Sequence, residues 1–495
     1  MNDFAKNRLI LLYIIIIIVI IFLILYFYSN SYKLWDHGHI ISANPSRIYY
    51  PRNKEDIIYI VSSFKPTEDK ISVAGAKYSS GGHTMINDGI VIDLYYLNKI
   101  IDINKDDKTI TVEAGITWRE IIEEIDRYDL SVSEMQSYCN FSVGGAISVN
   151  CHGRGNIYGS ISDSILEIKI INYEGKILTC SREERYDLFQ AAIGGYGGLG
   201  IIIEAKLRLE DNYPIRRYVT STSVENSAKN ILRIVKDKDV VFHNTNIYPH
   251  SIDKAVHITW KKYNIKYDSC EDEDRTDPID RIDKNTAITN IDRIQEKKDI
   301  YWSTLLTEQV LRRVPLSKTL RAYYEPKMLE KEKIVMKNWE MSYDVKAHEP
   351  LIKYPTTTIL QEYFIDPKYL DDFLMFMWKI FDKYNVNVLN VSLRYVAPIT
   401  IPILNYSSNK ESIAIVLYIN IINTTNLSLF EKWTQPLIDK ALNYNGSYYL
   451  PYLPLATKEQ FRKAYNYKQF LEIKRQYDPH FRFSNLFLEK YLLSD

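Results

Sequence analysis

Residues 71–94 read ISVAGAKYSSGGHTMINDGIVIDL. Ile71 to Ala74 and Ile90 to Leu94 have strand character, and the segment between them is rich in Gly and Ser. Within it, Val73 to Gly82 (VAGAKYSSGG) gathers small residues directly after a strand. Gly and Ser permit tight turns in which several backbone N–H groups face one way, which makes an anion-cradling surface. Two more clusters share this density: Ser142 to Gly155 (SVGGAISVNCHGRG), and Gly194 to Gly200 (GGYGGLG), which feeds a strand from Ile201 to Leu209. Taken singly, each reads as ordinary turns. Their recurrence between residues 71 and 200 points instead to close backbone approach to an extended phosphate ligand. No GxGxxG opens a strand-to-helix unit and no GxxxxGK[ST] occurs, so neither a Rossmann nor a Walker pocket is expected.

Around these loops the chain alternates short strands and helices. Ile48-Tyr49-Tyr50-Pro51 ends a strand, and Asn53 with Asp56 caps a helix carrying Ile57, Ile58, Ile60 and Val61. Thr117 and Glu120 form a capping box before Ile121, Ile122 and Ile125. Ile165–Ile171 and Lys176–Cys180 flank Asn172–Gly175 as a hairpin. Further strands are expected at Thr358–Phe364, Val386–Val396 and Ile413–Ile422. The charged stretch 267–299 reads as an exposed excursion. The whole is α+β. The 62 basic residues balance 62 acidic ones among 495, which argues against a nucleic-acid partner. The 46% hydrophobic content excludes a largely disordered chain. Four cysteines without a CxxC pair make neither a disulfide scaffold nor a zinc module, so no metal is expected.

One segment departs from the globular pattern. Leu9 to Tyr28, LILLYIIIIIVIIFLILYFY, holds no charge, Gly or Pro. At about 1.5 Å per residue, such a helix spans about 30 Å, the thickness of a bilayer's hydrocarbon core. Its length and the lack of a small-residue cleavage site favour a retained anchor over a signal peptide. Lys6 and Arg8 precede the run, so the positive-inside bias places the N-terminus in the cytosol and the body in a lumenal or external space. A host or virion membrane is among the settings this allows.

At this point the sequence resembles a known family. Residues 71–94, 135–153 (MQSYCNFSVGGAISVNCHG) and 187–205 (DLFQAAIGGYGGLGIIIEA) are similar to the three FAD-binding stretches of the vanillyl-alcohol oxidase flavoprotein superfamily, also called PCMH-type. Tyr477-Asp-Pro-His-Phe-Arg-Phe-Ser-Asn485 resembles the closing motif of its aldonolactone and alditol oxidase branch. Behind the tail at 1–8 and the helix at 9–28 read from the apolar run, the resemblance implies an FAD-binding domain at 42–210, a substrate (cap) domain at 211–440, and a closing segment at 441–495. It assigns FAD contacts to Ala74, Gly75, Ala76, Lys77, Tyr78 and Ser79, to Ser142, Gly144, Gly145, Ser148, His152 and Gly153, and to Gly200 and Ile202. Gly144 is expected to bring backbone N–H groups to the pyrophosphate at positive φ. Covalent members carry a His where Tyr78 stands, so the flavin is expected to be noncovalent, with His83 as the rival tether.

The same resemblance implies hydride abstraction from the carbinol carbon of a sugar, polyol or aldonolactone, with O₂ or another electron acceptor. The branch's Glu-x-Arg is Ser392-Leu-Arg394 here, so Arg394 is retained as a catalytic candidate and the acid is lost. A later-strand Lys corresponds to Asn420. Glu362 is a spare carboxylate, either a base or a solvated strand residue. Two alternatives remain open: a lipid-linked sugar or sterol-like substrate, and a catalytically silent envelope or membrane protein.

Overall fold

The computed structural model describes residues 12–23, 33–65, 67–155, 158–249, 251–263, 291–292, 310, 314–343, 356–407, 409–422 and 424–493. Nearly all of the charged excursion at 267–299, and both ends of the apolar run 9–28, lie outside these residues.

A short antiparallel ribbon, β1 (Leu34–Trp35) with β2 (Ser42–Ala43), leads into the first domain. There β3 (Arg47–Tyr49), β4 (Ile71–Ala74) and β5 (Ile90–Asp93) form a parallel sheet in the order β3-β5-β4. All four residues of β5 are buried, as expected of a central parallel strand covered on both faces. The crossover helix Lys54–Ser63 starts where Asn53 accepts from the Asp56 N–H, and it buries Ile57, Ile60 and Val61. A second sheet joins β6 (Ile100–Asn104), β7 (Thr109–Glu113), β8 (Leu130–Val132), β9 (Ile165–Ile171), β10 (Ile177–Ser181) and β11 (Ile201–Asp211). Its order is β10-β9-β11-β7-β6, with β8 pairing the end of β11. The expected hairpin is present, with Asn172 Oδ1 accepting from the Glu174 and Lys176 N–H groups and Gly175 at φ 81°. So is the capping box at Thr117 and Glu120.

The second half is built on one eight-stranded antiparallel sheet of β12 (Pro214–Ser223), β13 (Val240–Tyr248), β14 (Ser251–Lys262), β15 (Ile334–Met336), β16 (Thr356–Ile365), β17 (Asn387–Val396), β18 (Ser412–Ile422) and β19 (Ser447–Tyr448). Its order is β15-β12-β14-β13-β17-β18-β16-β19. Helices Leu370–Tyr384 and Ser428–Asn443 cover one face, where the Tyr363 ring lies 5.4 Å from Phe373 and Phe381 lies 6.0 Å from Trp433. The other face looks onto the first domain.

The C-terminal segment does more than close the eight-stranded sheet through β19. Ile71 N–H donates to the Arg482 carbonyl and Ser484 N–H donates to the Ile71 carbonyl, so residues 482–484 run beside β4. The Arg482 guanidinium, buried with its residue, donates to the carbonyls of Val61, Phe64 and Tyr173. Lys474 and Asp478 form a fully buried ion pair at 2.7 Å, and Lys474 also donates to the carbonyls of Gly198 and Phe483. The third glycine cluster is thereby tied to the chain's last helices.

At the N-terminus, residues 12–23 are helical and every side chain is exposed. No helix among the described residues is long and apolar enough to cross a membrane.

Candidate functional site

The glycine loops and the open face of the eight-stranded sheet enclose one cavity of about 350 Å³. That lies within the usual size of small-molecule sites. Ala74, Gly75, Ala76, Lys77, Tyr78 and Ser79 line it, with Ser142, Gly144, Gly145, Ser148, His152, Gly200, Ile202, Glu362 and Arg394. Gly153 does not. A Cβ there would stand 2.1 Å from the Met135 carbonyl and 2.7 Å from Glu134, so Gly153 is a packing glycine behind the loop.

The second glycine loop is not an open turn. It folds into a short helix, Val143–Ser148, whose first two N–H groups donate to the carbonyls of Ile116 and Ala114. Gly144 therefore has its N–H engaged by Ala114 at 2.7 Å and lies outside the positive-φ glycines. The expectation of positive φ at Gly144 is corrected, and its own N–H is engaged within the fold. Glycine is needed because a Cβ would stand 2.8 Å from the Ala114 Cβ and 3.0 Å from its carbonyl. Gly75 is close-packed in a similar way: a Cβ would meet Ser142 Oγ at 2.2 Å, the atom that accepts from the Ala76 N–H. Gly197 lines the cavity at φ 73°, with nothing within 4 Å of a Cβ. Lys77, at φ 62°, spends its ammonium on buried Asp93 at 2.5 Å.

Tyr78 lines the cavity with its ring 4.7 Å from Phe141 and 5.2 Å from His37. His83 is buried and stacked on Phe487 at 4.6 Å, and a Cβ on Gly81 would collide with its ring. Burial drives its imidazole down to about 3, against the pull of the Leu450 backbone, so His83 is neutral at ordinary pH.

Strand register places the catalytic candidates. Ser392 on β17 and Glu362 on β16 both pair with Val416 on β18, between them. Arg394 and Phe364 both pair with Ala414, and Asn390 and Leu360 with Tyr418. Directly paired residues share a sheet face, so Asn390, Ser392, Arg394, Leu360 and Glu362 all belong to the face that lines the cavity. Asn420 is one row further out, paired with Thr358, and is buried without lining the cavity.

Glu362 is not a solvated strand residue. It is buried, with Oε1 2.6 Å from His152 Nε2 and Oε2 accepting from the Tyr452 hydroxyl at 3.1 Å. His152 Nδ1 and Arg394 Nε, both buried, have no hydrogen-bond partner among the described residues. The Tyr452 hydroxyl is pushed well above its ordinary range, first by burial and then by Glu362, while Arg394 pulls it the other way. Tyr452 therefore stays protonated at neutral pH. It was not among the residues expected from sequence. It lies 90 residues along the chain from Glu362, so no local pattern signalled the contact.

The cavity is thus walled by glycine loops on one side and by an antiparallel sheet on the other. Residues 45–181 match the family model of the FAD binding domain, so this part of the chain is similar to such domains. Among its relatives are a D-arabinono-1,4-lactone oxidase of Yarrowia lipolytica, 32% identical over 190 residues (38% of this chain, 36% of that one), and an L-gulonolactone oxidase of Mus musculus, 25% identical over 194 residues (38% and 42%). Cytokinin dehydrogenase 2 of Arabidopsis thaliana is 27% identical over 179 residues (35% and 35%). The chain thus spans less than half the length of these curated relatives. Their names point to lactones and to a cytokinin, so likeness over this length bears on the cofactor and leaves the substrate to the eight-stranded sheet.

Proposed function

We propose that the protein is a membrane-tethered, FAD-dependent oxidoreductase acting on a carbinol carbon of a sugar, polyol or aldonolactone-like substrate. The observation that carries this reading is the meeting of Glu362, Tyr452, His152 and Arg394 in the cavity that the glycine loops wall. The residues fit FAD. Gly75 and Gly144 bring backbone closer than a side chain would allow, Gly197 leaves open space, and the unpartnered Arg394 Nε and His152 Nδ1 are buried polar atoms awaiting a ligand. Ala74–Ser79 and Ser142–Ser148 would hold the nucleotide, noncovalently because Tyr78 stands at the tethering position. When bound, the flavin supplies the two-electron acceptor.

The chain's own residues handle the proton and the charge. Tyr452 donates to one oxygen of Glu362, and the His152 tautomer bearing Nε2–H suits the other. This fixes the carboxylate for a substrate hydroxyl, whose proton passes to the Glu362–His152 pair as the carbonyl forms. Arg394 offers its guanidinium to the oxygen on which charge grows. The acid missing at position 392 is supplied across Val416 by Glu362, which removes the motive for a catalytically silent reading. The exposed apolar helix 12–23 favours, as second reading, a lipid-linked sugar or sterol-like substrate.

The test is anaerobic bleaching of the purified holoprotein by a panel of polyols, aldonolactones and lipid-linked sugars. One class should reduce it, and Glu362→Gln should slow that reduction about 10²-fold or more at unchanged FAD content. A slowing of less than about threefold, far below the effect of a general base, would remove Glu362 from the chemistry.

A further inference from the structure

Helix Pro315–Leu329 is anchored on one side and bare on the other. On its inner side, the Tyr248 hydroxyl donates to Glu325 at 3.1 Å and Arg321 donates to the Leu389 carbonyl at 3.3 Å. Ala322 and Leu329 pack against the small cluster of Tyr248, Val256 and Ile258. Arg321 lines the cavity. On the outer side, Leu316, Leu320, Tyr323, Tyr324 and Met328 are 50–66% exposed. Steps of three and four residues put these side chains in one stripe along the helix. An exposed apolar stripe, here with Lys327 lying within it over Tyr323, marks a surface with a partner.

Three observations identify a lipid bilayer as that partner. Residues 12–23 form a helix that is apolar all round, with Leu12 to Leu23 44–69% exposed, and hydrocarbon is the medium that suits such a helix. The apolar run ends at Tyr28, and His37 lines the same cavity as Arg321. Nine residues of chain reach at most about 32 Å, so the cavity cannot lie far from the end of the membrane run. Both this helix and the segment after the apolar run also carry amphipathic pairs suited to a lipid–water boundary. Lys327 Nζ lies 3.8 Å from the Tyr323 ring centroid and Lys33 Nζ lies 4.5 Å from that of Trp35.

We infer that the Leu316–Met328 face docks on the bilayer that holds residues 9–28, seating the cavity beside the membrane surface. The inference rests on the membrane tether of the proposed function but not on its redox chemistry.

The experiment uses the full chain with Cys270→Ser, the cysteines at 139, 151 and 180 being buried. A fluorophore is attached at Met328→Cys or, as control, at Met375→Cys, which is exposed on the helix covering the sheet's opposite face. The protein is reconstituted into phosphatidylcholine vesicles with brominated acyl chains. The Met328 label should lose roughly half or more of its fluorescence, as a group seated in the headgroup boundary would, while the Met375 label should not. Adding Leu320→Glu and Tyr324→Glu should abolish the difference without lowering FAD content. Chain that floats with vesicles but shows equal fluorescence at both labels overturns the docking alone. A label at Met328 that crosslinks between two copies while staying unquenched overturns it in favour of a dimer face. Chain that fails to float overturns the tether and the docking with it.

Discussion

Arg394 and Glu362 show how far single residues can be read from sequence. Alternation along Asn387–Val396 puts Ser392 and Arg394 on one side of their strand, and the structure turns that side to the cavity. The partner of Glu362 was not legible. His152 lies 210 residues away, and no local pattern reports a pairing made only when two domains meet. His83, the rival tether, packs against Phe487 and Tyr196 and also lines the cavity. Arg394→Ala should lower the rate of flavin reduction by about 10²-fold, the scale of losing one preorganised donor. Arg394→Lys should restore only part, because a point charge lacks the planar fork. FAD content should not change, since the glycine loops belong to the other domain. Anaerobic stopped-flow bleaching measures all three.

At the scale of elements, the strands were legible because their period-2 patterns are strong. Expected strands at Thr358–Phe364, Val386–Val396 and Ile413–Ile422 appear as β16, β17 and β18 with ends moved by two residues at most. Helix Val143–Ser148 was not, because Gly-Gly reads as a turn. What makes it a helix is distant: the Ala114 and Ile116 carbonyls that satisfy its first N–H groups. Gly144→Val should therefore act by forcing this helix off Ala114. Loss of flavin absorbance together with a lowered melting temperature is expected. Full FAD content at an unchanged melting temperature would show that the approach to Ala114 is not needed.

Over the whole molecule, the closing segment was legible as a motif but its grip on the glycine cluster was not. Lys474→Met leaves Asp478 buried without its cation, which should cost about 3–5 kcal/mol and lower the melting temperature. Stability should also be greatest in mildly acidic solution. Burial lowers His83 and His243 from 6.5 to about 3 and His257 to about 4. The unfolded chain then binds more protons below pH 6.5, and stability falls as the medium is acidified. Burial raises Glu134 from 4.5 to about 8, so its contribution is lost as pH rises through that range. Glu134→Gln should flatten the melting-temperature profile between about pH 6.5 and 8 and steepen it between about 4.5 and 6.5, where Glu134 opposes the histidines. The central claim is that the glycine-loop cavity holds FAD, and the absorbance spectrum of the purified full chain tests it most directly. The account predicts one FAD per chain, released to the supernatant on acid precipitation and absent from Gly144→Val. A folded, colourless chain that takes up no added FAD would contradict it.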